Sequence, residues 1–410
     1  MHLLLLAMRN IARNLRRSIV TVAAVAVGLI ALNLFGGYIV NTYAGLKLQA
    51  ISGERLGHLT IYKRGMLLEG KLHPKRYMFD AAESSRLANI VRSAGGVKLV
   101  SPRLSISGIA AASNGRASSI FIGEAMVPED MATLRGELQE GAGGSLTPGK
   151  NYGIAVSEDL AKLLDYKLGD TITLLSSTID GQANALDGQI VSLFNTGNAA
   201  TNDKYLLLPL TFAQNLLDTQ RVERFVVLLD DAALTDSKRT ELGTRLKDAG
   251  FDVEIKTWQE LSSFYRQVRG LFDMIFSFIA CIVFVIAALS IANTISMTVV
   301  ERTREVGTLR ALGLGKPGVV GLFATEAGWL AVVGTLVGLL GTVGFAWLIN
   351  SSNLSYVPPN SSYSVALLVD LDWVRIAAVS IAVIVLALAA AVLPSLRAAR
   401  RGIVDALAHT

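Results

Sequence analysis

The chain has 410 residues, 51% apolar and 17% charged, with a positive mean hydropathy. That is too apolar for an ordinary soluble protein and too polar for one lying wholly within a bilayer. The formal charge is +5, yet positions 41 to 270 hold 26 Lys/Arg and 26 Asp/Glu, so the excess sits in the flanking segments. This argues against a nucleic-acid surface and for charge-directed membrane orientation.

In residues 1–17, Leu4, Met8, Ile11 and Leu15 recur at helical spacing beside a stripe of Arg9, Arg13 and Arg16. This is the pattern of a basic amphipathic helix lying on an anionic membrane face. A cleaved leader is the alternative, but the apolar run that follows is too long for one. Ser18 to Leu46 carries no charge over 29 positions, and about 20 suffice to cross a bilayer. We assign spans to 18–40, 271–300, 318–349 and 373–396. Arginines and lysines cluster before the first span, between the second and third, and after the fourth (397–410), whereas the loop 351–372 has none. Four crossings place the three basic groups together, in the cytoplasm, and put 41–270 and 351–372 outside. The lone cysteine, Cys281, lies in the second span, so no intrachain disulfide is available to the outer region.

Positions 41–270 read as an α+β domain inserted between spans 1 and 2. Strands are expected at 58–62, 104–112, 118–123, 153–156, 171–175, 225–229 and 252–256, and helices at 80–93 and 235–249. Asn114-Gly115 is read as a hairpin turn, and Ser157 as the cap of a helix opened by Glu158 and Asp159. Twice a helix ends at glycine and feeds a strand, which suggests a repeated βαβ-type half.

Residues 301–316 follow one span and precede another. Glu301, Arg302, Arg304, Glu305 and Arg310 place five charges within ten residues. Each would cost about 3 kcal/mol at a bilayer centre, so the segment lies on a membrane face. Val306, Gly307 and Leu309 give it an apolar side that a plain solvated loop does not need. The run Arg304-Glu-Val-Gly-Thr-Leu-Arg-Ala-Leu-Gly313 resembles the cytoplasmic coupling helix of the FtsX/MacB-like ABC transporter permeases, a family that includes the lipoprotein-releasing permeases LolC and LolE. The stretch Gly153–Thr173 resembles the family's periplasmic core domain. Pro394–Arg400 with Val404–Leu407 resembles its C-terminal signature, and Leu6–Arg13 its N-terminus.

The resemblance implies a bacterial inner-membrane permease with both termini cytoplasmic, paired with a second permease subunit and served by two cytoplasmic ABC ATPases. It implies that Glu301, Arg302, Glu305 and Arg310 make polar contacts to the ATPase, with Val306 and Leu309 packing against it. The chain itself would bind no cofactor; ATP and magnesium belong to the partner. The load would be a lipoprotein or other amphipathic molecule. A MacB-like efflux role with an adaptor, or FtsX-like signalling to a cell-wall hydrolase, are the alternatives.

Gly144–Lys150 nearly spells a phosphate-binding loop, but Asn151 replaces the magnesium-binding hydroxyl and a strand follows instead of a helix. It is read as a turn, so the chain carries no ATPase of its own. His2, His58, His73 and His409 show no metal-ligand spacing, and no nucleophile–base or carboxylate pair presents itself, so no catalytic site is expected. Glu326 is an acid inside the third span; a structural pair with a coupling-region arginine is favoured over a functional carboxylate. Asn33 and Asn293 are expected to form interhelical hydrogen bonds, and Gly334, Gly338, Gly341 and Gly344 to permit close helix packing.

Overall fold

The computed structural model describes residues 15–410 except 71, 113, 114, 116, 136–144, 358–363, 401, 403–405 and 407–410. Most of the expected interfacial helix, Asn114 of the hairpin turn, Gly144, and Val404, Asp405 and Leu407 of the tail signature lie outside those residues. The chain divides into two compact units. One comprises Met1–Tyr43, Arg269–Ser355 and Ala366–Thr410; the other comprises Ala44–Val268 and Tyr356–Val365.

The first unit is helical. Its long helices are α8 (Lys316–Ser351), α9 (Trp373–Arg400) and most of α1 (Leu15–Leu48) and α6 (Ser263–Glu301), whose residues 44–48 and 263–268 fall in the other unit, with the short α7 (Thr303–Ala311) between α6 and α8. All four long helices have the length and apolarity to cross a membrane. Each extends beyond the expected span because helix hydrogen bonding continues through flanking charged residues that a hydropathy count leaves out. Small residues set the spacing. A Cβ on Gly28 of α1 would stand 2.6 Å from Val283 of α6, and one on Gly334 of α8 would stand 2.8 Å from Val25 of α1. Backbones therefore approach closely, as small-residue motifs permit in lipid. The buried centre collects Val25 and Leu29 of α1, Ile291 and Ile295 of α6, Phe323 and Ala327 of α8, and Ala387 and Ala391 of α9.

The second unit is α+β. Its strands are β1 (Leu59–Lys63), β2 (Val97–Ala111), β3 (Ser118–Met126), β4 (Gly153–Ser157), β5 (Thr171–Ser177), β6 (Ala183–Phe194), β7 (Tyr205–Pro209), β8 (Arg224–Leu229) and β9 (Val253–Thr257). The helices used here are α2 (Ala81–Arg92), α3 (Glu158–Leu163), α4 (Leu210–Leu216) and α5 (Thr235–Asp248). Strands β2, β8, β1 and β9 pair in that order, every neighbour antiparallel. Thus β1–α2–β2 and β8–α5–β9 are two split βαβ halves, each embracing a strand of the other. Of the two helix–glycine–strand passages read in the sequence, the one through Gly250 lies in this repeat as α5–β9, whereas the one through Gly169 leads into β5, outside it.

The far half of β2 leaves this sheet and enters a second structure. It pairs with β3 and β5, and the circuit β2, β3, β7, β4, β6, β5 returns to β2. Closure leaves these strands no free edge. Strand β5 alternates exposed and buried positions, with Ile172 and Leu174 inside against Ile106, Phe121, Ile190 and Phe212.

Local signals explain the helix starts unevenly. Asp80 caps α2 in a capping box: Glu83 N donates to Asp80 Oδ1 at 2.8 Å and Asp80 N to Glu83 Oε2 at 2.9 Å. Ser157 stands at the start of α3 as expected, but its side chain does not cap it. Its Oγ accepts from the backbone N–H of Tyr205 at 3.1 Å, because β7 runs beside β4 and competes for the hydroxyl.

Candidate functional site

The helical unit carries the segment singled out by sequence. Arg302 leaves the helical conformation, with φ −107° and ψ 16°, and so separates α6 from α7. The separation is slight: Arg302 N donates to Thr298 O at 3.0 Å, and Arg302 O accepts from Val306 N at 2.9 Å. Thr303 Oγ1 donates to Val299 O at 2.9 Å. At the other end Gly313 has φ +103°, Gly313 N donates to Arg310 O at 3.1 Å, and Leu314 N donates to Leu309 O at 3.0 Å. That is a Schellman stop, which requires a left-handed residue after the helix and here uses glycine. The helix therefore spans Thr303–Ala311, shorter than the expected 301–316. Glu301 is the last residue of α6, and Lys316 opens α8.

The charged and apolar residues sort by face. Val306 and Gly307 are buried, and Val306 belongs to the same apolar cluster as Val299, Val319, Phe323, Ala398 and Ala399. The joint outward packing expected of Val306 and Leu309 is thus corrected. Val306 anchors α7 to its own chain, whereas Leu309, nearly one helical turn on, lies at the edge of that face and is left uncovered by the neighbouring helices. Leu309 is exposed, and Leu312 is 81% exposed. Arg304, Glu305 and Thr308 also face outward, and Arg310 is half-buried.

Arg302 turns inward. Its Nε donates to Glu305 Oε2 at 2.7 Å and its Nη1 to Glu326 Oε2 at 3.5 Å. Glu326, on α8, is only 4% exposed. The arginine partner anticipated for this carboxylate is therefore Arg302. Glu301 instead meets Arg17 of α1 at 2.5 Å. This contact between residues 284 positions apart had no signal in the sequence.

Asn33 donates from Nδ2 to Thr342 Oγ1 at 3.4 Å, linking α1 to α8, and Thr342 Oγ1 donates onward to Gly338 O at 2.8 Å. Asn293 differs: it is exposed on α6 and joins no hydrogen bond among the described residues, so the expected interhelical bond is not made within this chain. A neighbouring polar link does join α6 to α1, Thr21 Oγ1 to Thr294 Oγ1 at 2.6 Å. Gly334, Gly338 and Gly341 face α1, while Gly344 faces open space. The described part of the Gly144–Lys150 run turns through Lys150 N to Thr147 O, 3.2 Å, and leads into β4. No helix opens there to present N–H groups to a phosphate.

A membrane unit of four long helices with a short amphipathic helix between the second and third, together with a separate α+β unit, is the organisation of an ABC transporter permease. Residues 18–244 match the family described as the MacB-like periplasmic core domain, and residues 277–403 match the FtsX-like permease C-terminal family. The chain belongs to the FtsX/MacB-like permease family. It is 23% identical over 295 residues to the lipoprotein-releasing system transmembrane protein LolC of Xylella fastidiosa (strain 9a5c), covering 68% of this chain and 70% of that one. It is 26% identical over 271 residues to LolE of Haemophilus influenzae, covering 61% and 63%. Among solved structures, the periplasmic region of MacB from Actinobacillus actinomycetemcomitans superposes with a TM-score of 0.36 at 16% identity, over 51% of this chain and 92% of that one.

Proposed function

We propose that this chain is the non-catalytic membrane subunit of an ABC transporter in a bacterial inner membrane, and that it releases lipoproteins. In this reading α7 lies on the cytoplasmic face and docks into an ATPase carried on a separate chain, which binds the ATP and magnesium. Both termini are cytoplasmic. The α+β unit, inserted between the first and second spans, stands on the outer side. A second permease subunit completes the assembly, because four helices enclose too little to form a pathway alone. Nucleotide-driven closure of two ATPases moves the helices and, through them, the outer units, which act on cargo held in the outer leaflet.

One observation carries the reading. α7 is anchored inward by Val306 and Arg302, yet it turns Glu305, Leu309 and Leu312 outward. A surface helix with a fixed inner face and an exposed apolar outer face is suited to receive a partner. The lipoprotein cargo is supported by the names of the relatives that cover two thirds of the chain.

A pull-down of the tagged chain from native membranes in mild detergent, with mass spectrometry of what is retained, tests the reading. An ATPase together with an acylated lipoprotein is the expected result. An ATPase with a periplasmic adaptor would redirect it to efflux, and one with a wall hydrolase to mechanical signalling. Absence of any ATPase, under conditions that preserve a known complex of this type, would overturn it.

A further inference from the structure

Glu301 and Arg302 are adjacent, yet they hold different helices. Glu301 ends α6 and meets Arg17 of α1, while Arg302 sits at the non-helical break and reaches α8 through Glu326. Resting on the coupling reading above, we propose that this pair is a transmission node, in which Arg302 is the positioning residue that makes α7 and α8 move as one body.

The two grips differ in stiffness. The Arg17–Glu301 pair is exposed, with 47% and 36% of the side chains in contact with solvent. Pairs of that kind are screened by salt and hold weakly. The side chains of Arg302 and Glu326 are 16% and 6% exposed. A carboxylate in that position inside an otherwise apolar helix is costly without its cation, so separating the pair leaves an uncompensated buried charge. The guanidinium also serves two carboxylates at once, Glu305 on α7 through Nε and Glu326 on α8 through Nη1. A planar fork can bridge two acceptors in this way, whereas the single ammonium of lysine is a point charge. Apolar contact surrounds the bridge, since Val306 of α7 and Val319, Phe323 and Ala327 of α8 belong to one buried cluster. A push on the outer face of α7 therefore passes rigidly to α8 through Arg302. The node's ion pair to α1 among the described residues, Arg17–Glu301, is one that yields. Glu305 belongs to both the outward face and the bridge, so a docked partner bears directly on the node.

The test uses the full chain purified with its ATPase in lipid nanodiscs, diluted with unlabelled chain. Spin labels are placed at Thr308→Cys of α7 and Leu336→Cys of α8, both exposed sites, in a Cys281→Ser background. The α7–α8 distance is measured without nucleotide and after trapping with MgATP and vanadate, once ATPase retention by the labelled protein has been verified. The bridged protein should keep one distance in both states. Arg302→Gln and Glu326→Gln should each shift it on trapping by roughly 1–5 Å, the scale of helix slides in protein switches. The exchange Arg302→Glu with Glu326→Arg should restore the fixed distance that either reversal alone loses. If a neutralised variant fails to accumulate in the membrane, Arg302→Lys keeps the charge and should still show the shift. Retained ATPase with an unchanged distance in Arg302→Gln and Arg302→Lys would overturn the node and leave the coupling reading standing. A parent chain that retains no ATPase would overturn both.

Discussion

Gly338 of α8 lies so close to Leu29 of α1 that a Cβ added to it would stand 2.9 Å from Leu29 Cδ2 and 3.1 Å from the carbonyl oxygen of Ala26. Backbone cannot yield there as a flexible side-chain end would. Gly338→Val should therefore destabilise the helical unit by about 1–3 kcal/mol, the usual cost of overpacking a tight interior. Gly344, on the same helix with nothing within 4 Å, is the control. Thermal unfolding in detergent should show a lowered midpoint for Gly338→Val and none for Gly344→Val. Equal effects at both sites would mean that helix propensity, not the α1 contact, sets the cost.

The two faces of α7 should separate under mutation. Leu312→Glu and Glu305→Arg alter only exposed positions, so membrane levels should stay normal while retention of the ATPase falls or transport is lost. Val306→Asp puts a charge among Val319 and Phe323 and should lose membrane accumulation as well. Quantitative blotting of membranes beside ATPase co-purification separates these outcomes. Unchanged transport and ATPase retention in both outward variants would remove α7 from the coupling role.

The residues that were legible in the sequence are those whose role is set by neighbours along the chain. Charge-free runs marked the long helices, whereas the short helix, expected to run on to 316, stops at Gly313. Asn33 announced a polar link in lipid, and Glu326 announced a need for a cation. What the sequence could not supply depended on distant strands and helices. Ser157 has the composition of a cap, but Tyr205 takes its hydroxyl. Val306 and Leu309 share one short apolar pattern, yet only the position of α8 decides that one faces in and the other out. Closure of the six-strand circuit depends on two residue pairs, Ile109 with Leu175 and Ala110 with Leu174, which no local pattern marks.

His58 gives the α+β unit an acid sensitivity. Its Nδ1 accepts from the backbone N–H of Leu229 at 3.0 Å, and burial, aided by nearby Lys47, lowers its pKa to about 4. The unfolded chain titrates near 6.5, so it binds the proton first as pH falls. Stability should be full above pH 6.5 and decline between there and about 4, by at most about 3 kcal/mol. Glu54, held above its ordinary value by burial, acts in the opposite sense, so the comparison must be internal. His58→Asn keeps an acceptor and cannot titrate. Thermal midpoints at pH 7.5, 6 and 5 should fall more steeply for the parent than for this variant. Parallel declines would assign the acid loss to other groups.

Arg103 poses the opposite problem. It is fully buried where β2 passes from one sheet into the closed circuit, and none of its three guanidinium nitrogens finds a hydrogen-bond partner among the described residues. Burial pulls its pKa down to about 10, so it remains charged at neutral pH. The nearby acid Glu124 is already held by Arg224 at 2.6 Å, and Arg224 also meets Glu223 at 3.0 Å. Arg103 is thus left with the fields of Glu124 and Asp130 but no hydrogen bond of its own among the described residues. Replacing a buried charge that makes no hydrogen bond with an apolar side chain of similar length removes its desolvation cost and retains the packing. Arg103→Met should therefore be neutral or stabilise by up to about 4 kcal/mol, whereas Arg224→Met, which strands Glu124, should destabilise by about 3–5 kcal/mol. Denaturant titration of the two variants decides the matter. Destabilisation by Arg103→Met as large as that by Arg224→Met would mean that the guanidinium is satisfied in solution, by water or by a carboxylate drawn from Arg224.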